Sequence, residues 1–275
     1  MKCQFCNNSK EKKKLRVSSE IFEKEFSYSV CAGCGSIFQD PLPSSEEILE
    51  YYRDYHQIKK KINPGYLEEQ QLKSLFAERD KTLSEIRFDK SWLLNSNSVE
   101  FGCANGHFLH YLKANGAVDI TGIDMSKNLL ESIKIDGVNL IEASDLNCLD
   151  AFSVDNLFLF NIIEHLPDVN LLFKQIGNII KPSAKIVIET PVAGLVSSFF
   201  GNKWRHLMPV EHLSIPSLDG MKLLLRDYSL EIIRITRFGS GFTAGSVNPR
   251  IKKSLDFFAK KFSFGDRMTI LAVNS

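Results

Sequence analysis

The stretch VEFGCANGHFLHYL, Val99 to Leu112, decides how the rest of the chain is read. A short apolar strand runs into a turn that is almost without side chains at Gly102, Ala104 and Gly106. An amphipathic helix follows directly. A backbone stripped this way serves a ligand that must come close, or tight packing of strand against helix. A dinucleotide fingerprint would read G-x-G-x-x-G. Here the run is G-C-A-N-G, so the last glycine comes one place early and the middle one is alanine. No G-K-S/T is present, which excludes a P-loop, and a phosphate cradle is a poor fit.

Outward from this turn, strands and helices alternate. The pattern predicts strands at 98–102, 119–123, 138–142, 156–162 and 185–190, and a helix at about 217–228. Two further strands follow, LEIIRITRF and RMTILAVNS. Alternation of this kind gives an α/β fold with a mostly parallel sheet covered on both faces. Ligands bind such sheets outside the carboxyl ends of the strands, where the strand order reverses. The turn at 102–106 lies there. The second strand ends at Asp124, 22 residues after Gly102. A carboxylate at that place can accept hydrogen bonds from both hydroxyls of an adenosine ribose, or it can cap the next helix. Met125 can pack on an adenine face. Asp145 is placed to accept from the adenine amino group while Leu146 donates its backbone N–H.

The chain has 275 residues, 44% hydrophobic and 24% charged, with a net charge of +1. That length supports a large core and a small appended unit without disulfides. Near-neutral charge argues against a nucleic-acid partner that would need many phosphates neutralised. The basic run KEKKK, Lys10 to Lys14, reads as a solvated hairpin face. No apolar run reaches membrane-spanning length, and MKCQFCNNSK lacks the apolar segment of a secretion signal. A cytoplasmic protein without membrane insertion is expected. Its six cysteines are then expected to be ligands or thiols rather than disulfides.

Four of those cysteines form two C-x-x-C pairs, Cys3 with Cys6 and Cys31 with Cys34, separated by 24 residues. Each pair sets two thiolates on one side of a tight turn, and together they supply the four soft ligands of a structural zinc site. Gly35 lets backbone amides fold toward sulfur, and IFEKEFSYSV (Ile21 to Val30) reads as a strand. Cys103 and Cys148 have no paired partner and read as packing thiols. The organisation is a zinc ribbon at 1–40, a helical linker or lid at 41–95 and a core at 96–275. In the linker, Pro41 and Pro43 keep the chain extended, Ser44 or Ser45 caps, and Glu46 and Glu47 suit a first helical turn. Leu72, Leu75, Phe76, Leu83 and Ile86 fall near one helical face.

The run VEFGCANG, GIDMS, SDL, DNLFLFNIIEHLPD and LFKQIGNIIKPSAKIVIETP resembles a class I S-adenosylmethionine-dependent methyltransferase from about residue 96 onward. The ribbon with FQDPLPSSEEILEYYRDYH resembles a subgroup found with bacterial sugar and surface-polysaccharide biosynthesis, including sugar C-methyltransferases. The resemblance implies a Rossmann-like seven-stranded sheet with its last strand, RMTILAVNS, antiparallel. It implies S-adenosylmethionine as cofactor beside the structural Zn2+. Glu100, Gly102, Ala104 and Gly106 would lie at its methionine end, Asp124 at its ribose and Asn161 near its amino group. The acceptor it implies is a small molecule, a nucleotide-linked sugar or surface-glycan component. Ala104 stands where the family has a central glycine.

The sulfonium is an activated methyl donor, so the protein has to align a nucleophile and, where needed, take its proton. Two Glu-His pairs stand out. Glu211 and His212 sit in the 26-residue connection 191–216, long enough to be a functional loop. In the sugar C-methyltransferases a Glu-His pair at this place includes the catalytic base, so His212 is the first candidate, with Glu211 orienting it or binding substrate. Pro209 replaces the family's nearby tyrosine, and no counterpart of those enzymes' additional C-terminal domain is expected within these 275 residues. The second pair is Glu164 and His165, a base or a loop-shaping element. Phe199, Phe200, Trp204, Arg205 and His206 share the long loop, as a substrate wall with Arg205 on a phosphate or as satellite core. A zinc-ribbon ribosomal-RNA methyltransferase and a non-catalytic scaffold that retains the fold are the competing readings.

Overall fold

The alternation begins after three N-terminal strands and the helices that follow them. The computed structural model describes residues 2–19, 21–53, 72–243 and 245–274. Its elements are β1 (Glu11–Ser19), β2 (Lys24–Cys31), β3 (Ile37–Gln39), α1 (Ser45–Arg53), α2 (Leu72–Glu85) and β4 (Asn97–Phe101). Next come α3 (His107–Ala114), β5 (Asp119–Asp124), α4 (Lys127–Ser132), β6 (Val138–Glu142), β7 (Val154–Phe160), α5 (Val169–Ile179) and β8 (Ile180–Pro191). The chain continues through α6 (Leu195–Phe200), β9 (Ser214–Ile215), α7 (Leu218–Asp227), β10 (Leu230–Phe238), α8 (Pro249–Lys261) and β11 (Arg267–Asn274).

Seven strands form one sheet in the order β10-β11-β8-β7-β4-β5-β6. β4 through β8 run parallel, and β11 pairs antiparallel with both β8 and β10. The order reverses between β4 and β7, which sets the carboxyl ends of these two strands at the switch point. Side-chain alternation divides the core between the faces. Leu157 and Leu159 of β7 join one cluster with Ile186 and Ile188 of β8, under α5 and α7. Phe158, Phe160 and Val187 point the other way, toward α3 and toward Leu83 of α2.

The covering helices start and stop for local reasons. Asp168 caps α5 by accepting from Leu171 N at 3.0 Å, and Val169, Leu172, Phe173, Ile176 and Ile179 are buried along one stripe. Each such side chain stabilises by about 1.5–3 kcal/mol on burial. Ser217 caps α7 through Gly220 N at 2.9 Å. At α1, Ser44 Oγ accepts from Glu47 N at 3.1 Å and Glu47 returns the bond to Ser44 N at 2.9 Å, a reciprocal capping box.

The N-terminal strands form a second sheet, β1-β2-β3-β9, whose last member comes from the long connection before α7. Ile37 pairs with Ile215 and Phe38 with Ser214. Cys3, Phe5, Cys31, Cys34 and Phe38 are buried in the main core cluster, and Gln4 accepts from Val169 N and donates to Pro167 O. What the cysteine turns touch is thus the rest of the same chain. Lys12 to Lys14 are exposed on β1, as a hairpin face requires.

Three expectations change. The first strand ends at Phe101, because Gly102 turns to φ 78, and the fourth ends at Phe160, because Asn161 turns to φ 53. Cys148 is exposed and is no packing thiol, whereas Cys103 is buried. Leu83 and Ile86 are buried as the helical face predicted; the side chain of Leu72 lies outside what is described.

Candidate active site

The bare turn has two causes. Gly102, Ala104 and Gly106 all take left-handed backbone, at φ 78, 48 and 75. A Cβ on Gly102 would sit 2.0 Å from Ile162 Cδ1, so the loop after β7 closes directly over the turn after β4. The positive φ favours glycine there, and a side chain would also have to displace the end of Ile162. Ala104 points its N–H elsewhere: it donates to Asp124 Oδ2 at 2.9 Å, while Ser126 N donates to Asp124 Oδ1 at 2.9 Å. Asp124 thus meets the start of α4 through Ser126 N. The carboxylate is locked by amides from two loops, and each oxygen keeps a further lone pair for a hydroxyl. Met125 beside it is half exposed.

A cleft of about 160 Å³ opens at this turn, lined among others by Arg79, Glu100, Gly102, Ala104 and Phe160. Glu100 is 5% exposed, and its Oε2 has no hydrogen-bond partner among the described residues. Burial pushes its pKa well above the usual carboxylate range; the Arg79 charge opposes that and Asp124 adds to it. An uncompensated buried acid at the cleft suits a cationic ligand. The Arg79 guanidinium lies 4.0 Å above the Phe160 ring and donates to Glu189 at 3.2 Å. Asp145 and Ser144 line a second hollow of about 120 Å³. Leu146 N–H, the expected adenine donor, instead faces Gln175 Oε1 at 3.4 Å, because α5 brings that amide under the loop.

The histidines gather above the switch point. Both Glu-His pairs meet: the His165 and His212 rings contact edge to face at 4.9 Å. His212 Nδ1 lies 2.8 Å from His206 O, and His165 Nδ1 lies 2.9 Å from Glu211 O and 3.2 Å from Tyr52 OH. Glu164 is fully buried; its Oε2 accepts from Thr190 Oγ1 at 3.0 Å and its Oε1 has no partner among the described residues. Burial raises the Glu164 pKa to about 8 against the lowering pull of Thr190 and Arg267. Glu211, expected beside His212, turns to Tyr51, whose hydroxyl it accepts. Tyr52 links the two halves of the site. Burial raises its phenol pKa first, and Glu211, Glu164 and Asp124 raise it further, so this one hydroxyl senses the histidine cluster and the Gly102 turn together.

The expected substrate wall is a buttress. Arg205 makes a two-pronged pair with Asp266, both bonds at 3.2 Å, and Trp204 Nε1 donates to the same carboxylate at 3.2 Å. Arg205 is therefore committed to Asp266 rather than to a phosphate. Burial alone would raise the Asp266 pKa, but His206 and Arg205 hold it well below the usual range. Val210 turns to φ 68, rare for a β-branched residue, and its N–H donates to Gln39 Oε1 at 3.0 Å. Gln39 N donates to Leu213 O at 2.8 Å, and Tyr28 OH to His212 O at 3.1 Å. The N-terminal sheet thus holds the segment that carries His212.

The four sulfurs of Cys3, Cys6, Cys31 and Cys34 lie within 4.8 Å of one another, with 3.6 Å between Cys3 and Cys34 and 3.5 Å between Cys6 and Cys31. Sulfurs on one tetrahedral zinc ion lie about 3.8 Å apart, so the set fits. Gly33 N donates to Cys31 Sγ at 3.3 Å.

Spacing had no means of showing Arg79, Tyr52, Gln39 or Asp266. Each acquires its role from a partner more than 60 residues away.

The sheet thus sets its switch point, the turn after β4 and the carboxylate of Asp124 around one cleft. The chain belongs to the family described as Methyltransferase domain, which it matches over residues 66–235. It is similar to the ubiquinone biosynthesis O-methyltransferase of Coxiella burnetii, 29% identical over 105 residues, 36% of this chain and 44% of that protein. The chain thus spans less than half the length of this curated relative. In fold it is similar to a SAM-dependent methyltransferase from Archaeoglobus fulgidus at a TM-score of 0.55 and 17% identity, covering 80% of this chain and 100% of the other. It is also similar to geranyl diphosphate C-methyltransferase from Streptomyces coelicolor at 0.54 and 15%, covering 72% and 76%. The domain is of the S-adenosylmethionine-dependent class. Among the described residues no helix is long and apolar enough to cross a membrane.

Proposed function

We propose that this protein transfers a methyl group from S-adenosylmethionine to a small hydroxyl-bearing acceptor. The observation that carries the reading is the Asp124 carboxylate, locked by Ala104 N and Ser126 N beside a cleft that holds the buried acid of Glu100. Asp124 would hold the ribose, Met125 and Asp145 the adenine side. Glu100, Gly102, Ala104, Gly106 and Asn161 would hold the methionine end, with Glu100 facing its cationic groups. Leu146 would contribute its N–H only by yielding the long contact to Gln175. The cofactor supplies the activated methyl; the protein supplies orientation, worth up to ~7–11 kcal/mol in favourable cases.

His212 and His165 serve the acceptor, with His212 the group that meets its hydroxyl and Glu211 a positioning residue through Tyr51. The acceptor class we favour is a nucleotide-linked sugar, from the Glu-His pair at 211–212. A phenolic acceptor is the second reading, favoured by the curated relative's name. Zn2+ on Cys3, Cys6, Cys31 and Cys34 would fix the ribbon that grips the His212 loop, within the organisation 1–40, 41–95 and 96–275.

Labelled methyl transfer tested against nucleotide-sugar and catechol pools separates the two acceptors. His212→Ala is expected to keep S-adenosylhomocysteine binding and to lose about 10²–10⁴-fold in turnover. Full turnover in that variant removes His212 from the chemistry. No calorimetric heat with millimolar S-adenosylhomocysteine removes the enzyme reading in favour of a scaffold.

A further inference from the structure

Helix α8 carries its apolar side chains on the outside. Ile251, Leu255, Phe258 and Phe262 recur at intervals of four, three and four, which lines them along one side of a helix. All four are exposed, Phe262 by 64%. Adjacent residues lie about 100° apart round a helix, so Phe257 widens this face beyond the stripe, and it is 60% exposed. The other side is the one the fold holds. Ala259 is buried, Asp256 accepts from Ser240 N at 2.9 Å and pairs with Lys252 at 2.6 Å, and Lys260 pairs with Glu85 of α2. The helix is thus fixed to the body with its rings turned away from the core. Single exposed apolar residues need no explanation, but five gathered on one helix mark a contact surface.

Charge says what the surface meets. α8 holds five cations, Arg250, Lys252, Lys253, Lys260 and Lys261, against the single acid Asp256. Arg250, Lys253 and Lys261 are exposed beside the rings, and Lys261 Nζ lies 5.9 Å from the centroids of both Phe257 and Phe262. A second copy laid along the stripe would set these cations against their own equivalents, which costs affinity in either helix direction. A groove shaped for one helix would cover the stripe and leave Phe257 outside it. A flat anionic lipid surface takes both, with rings among the acyl chains and cations at the phosphates. We propose that α8 docks this protein on an anionic bilayer, lying in the plane of the headgroups. Its 13 residues span about 20 Å, enough to lie on a bilayer and too short to cross one. The proposal stands independently of the methyl-transfer reading. The Lys260–Glu85 pair joins the docked helix to α2, whose Arg79 lines the cofactor cleft.

Co-sedimentation with vesicles of equal parts phosphatidylglycerol and phosphatidylcholine tests the surface, beside vesicles of phosphatidylcholine alone. The native chain is expected to pellet with the mixed vesicles and to stay in the supernatant with the neutral ones. The double variant Lys253→Gln, Lys261→Gln should partition ~25-fold more weakly, about fivefold for each cation. The triple variant Phe257→Ser, Phe258→Ser, Phe262→Ser should not pellet, and its melting temperature should stay native because these rings are exposed. Phe258→Trp, which keeps the bulk, reads the same contact directly: its emission should shift to the blue with mixed vesicles, relative to the native chain's own tryptophans. A native chain that pellets with neither vesicle overturns the proposal, as does undiminished pelleting of the serine variant or an unshifted emission at 258. Equal pelleting with neutral vesicles contradicts the role of the cations. A native dimer in sedimentation equilibrium that the serine variant dissolves, with no vesicle binding, gives the face to a second copy and overturns the lipid assignment.

Discussion

Ala104 occupies a backbone region that costs a side-chain-bearing residue about 1–2 kcal/mol, at φ 48. Glycine there would relieve the strain and return part of the gain to the unfolded chain. Ala104→Gly is therefore expected to raise stability by about 0.5–1 kcal/mol in chemical denaturation, without loss of cofactor affinity. Glu100 gives a pH signature. Its folded pKa lies above the unfolded value, so its ionisation destabilises the fold. The penalty is absent below the unfolded carboxylate range and grows as pH rises from there toward the folded value. Glu100→Gln should leave thermal stability unchanged near pH 4 and raise it at pH 8; a shift of equal size at both would contradict the burial argument. These residues were legible in part. A carboxylate ending a strand and a turn of small residues are local signals. That Glu100 Oε2 has no hydrogen-bond partner among the described residues, and that the end of Ile162 lies where a Cβ on Gly102 would go, are facts of distant packing.

At the scale of elements, the strands of the sheet could be read because each is long and apolar enough to show its period. β8 starts at Ile180 rather than 185, hidden by the IKPSAK run with its proline and lysines. β9 is two residues long and carries no period, yet it joins the N-terminal sheet to the loop of His212. Gln39 is the clasp: its side chain and its N–H hold Val210 and Leu213 on either side of Glu211 and His212. Gln39→Ala leaves the buried Val210 N–H unpaired at about 1–3 kcal/mol and frees a strained turn. Turnover should fall while S-adenosylhomocysteine affinity stays within about threefold. Turnover that survives the change would mean the loop holds its shape without the clasp.

For the whole molecule, the N-terminal unit reads in the sequence as an appendage and in the structure as a wall of the site. Cys3, Phe5 and Cys34 sit in the same core as β7 and β8. Losing the zinc we assign there should therefore reach the chemistry. Cys6→Ser is expected to lower the melting temperature and the turnover together, and a variant that loses zinc but works normally would detach the ribbon from the mechanism. Such coupling could not be read from spacing, since it depends on how Phe38 of β3 meets Ser214, far along the chain. The Asp124 pocket is the point on which the account turns, and calorimetric titration of S-adenosylhomocysteine into the native chain and Asp124→Ala tests it most directly. Binding by the native chain and a ~10–100-fold weaker affinity in the variant is expected, the size of a lost charged hydrogen bond. Equal affinity in both, or no heat from the native chain, would contradict it.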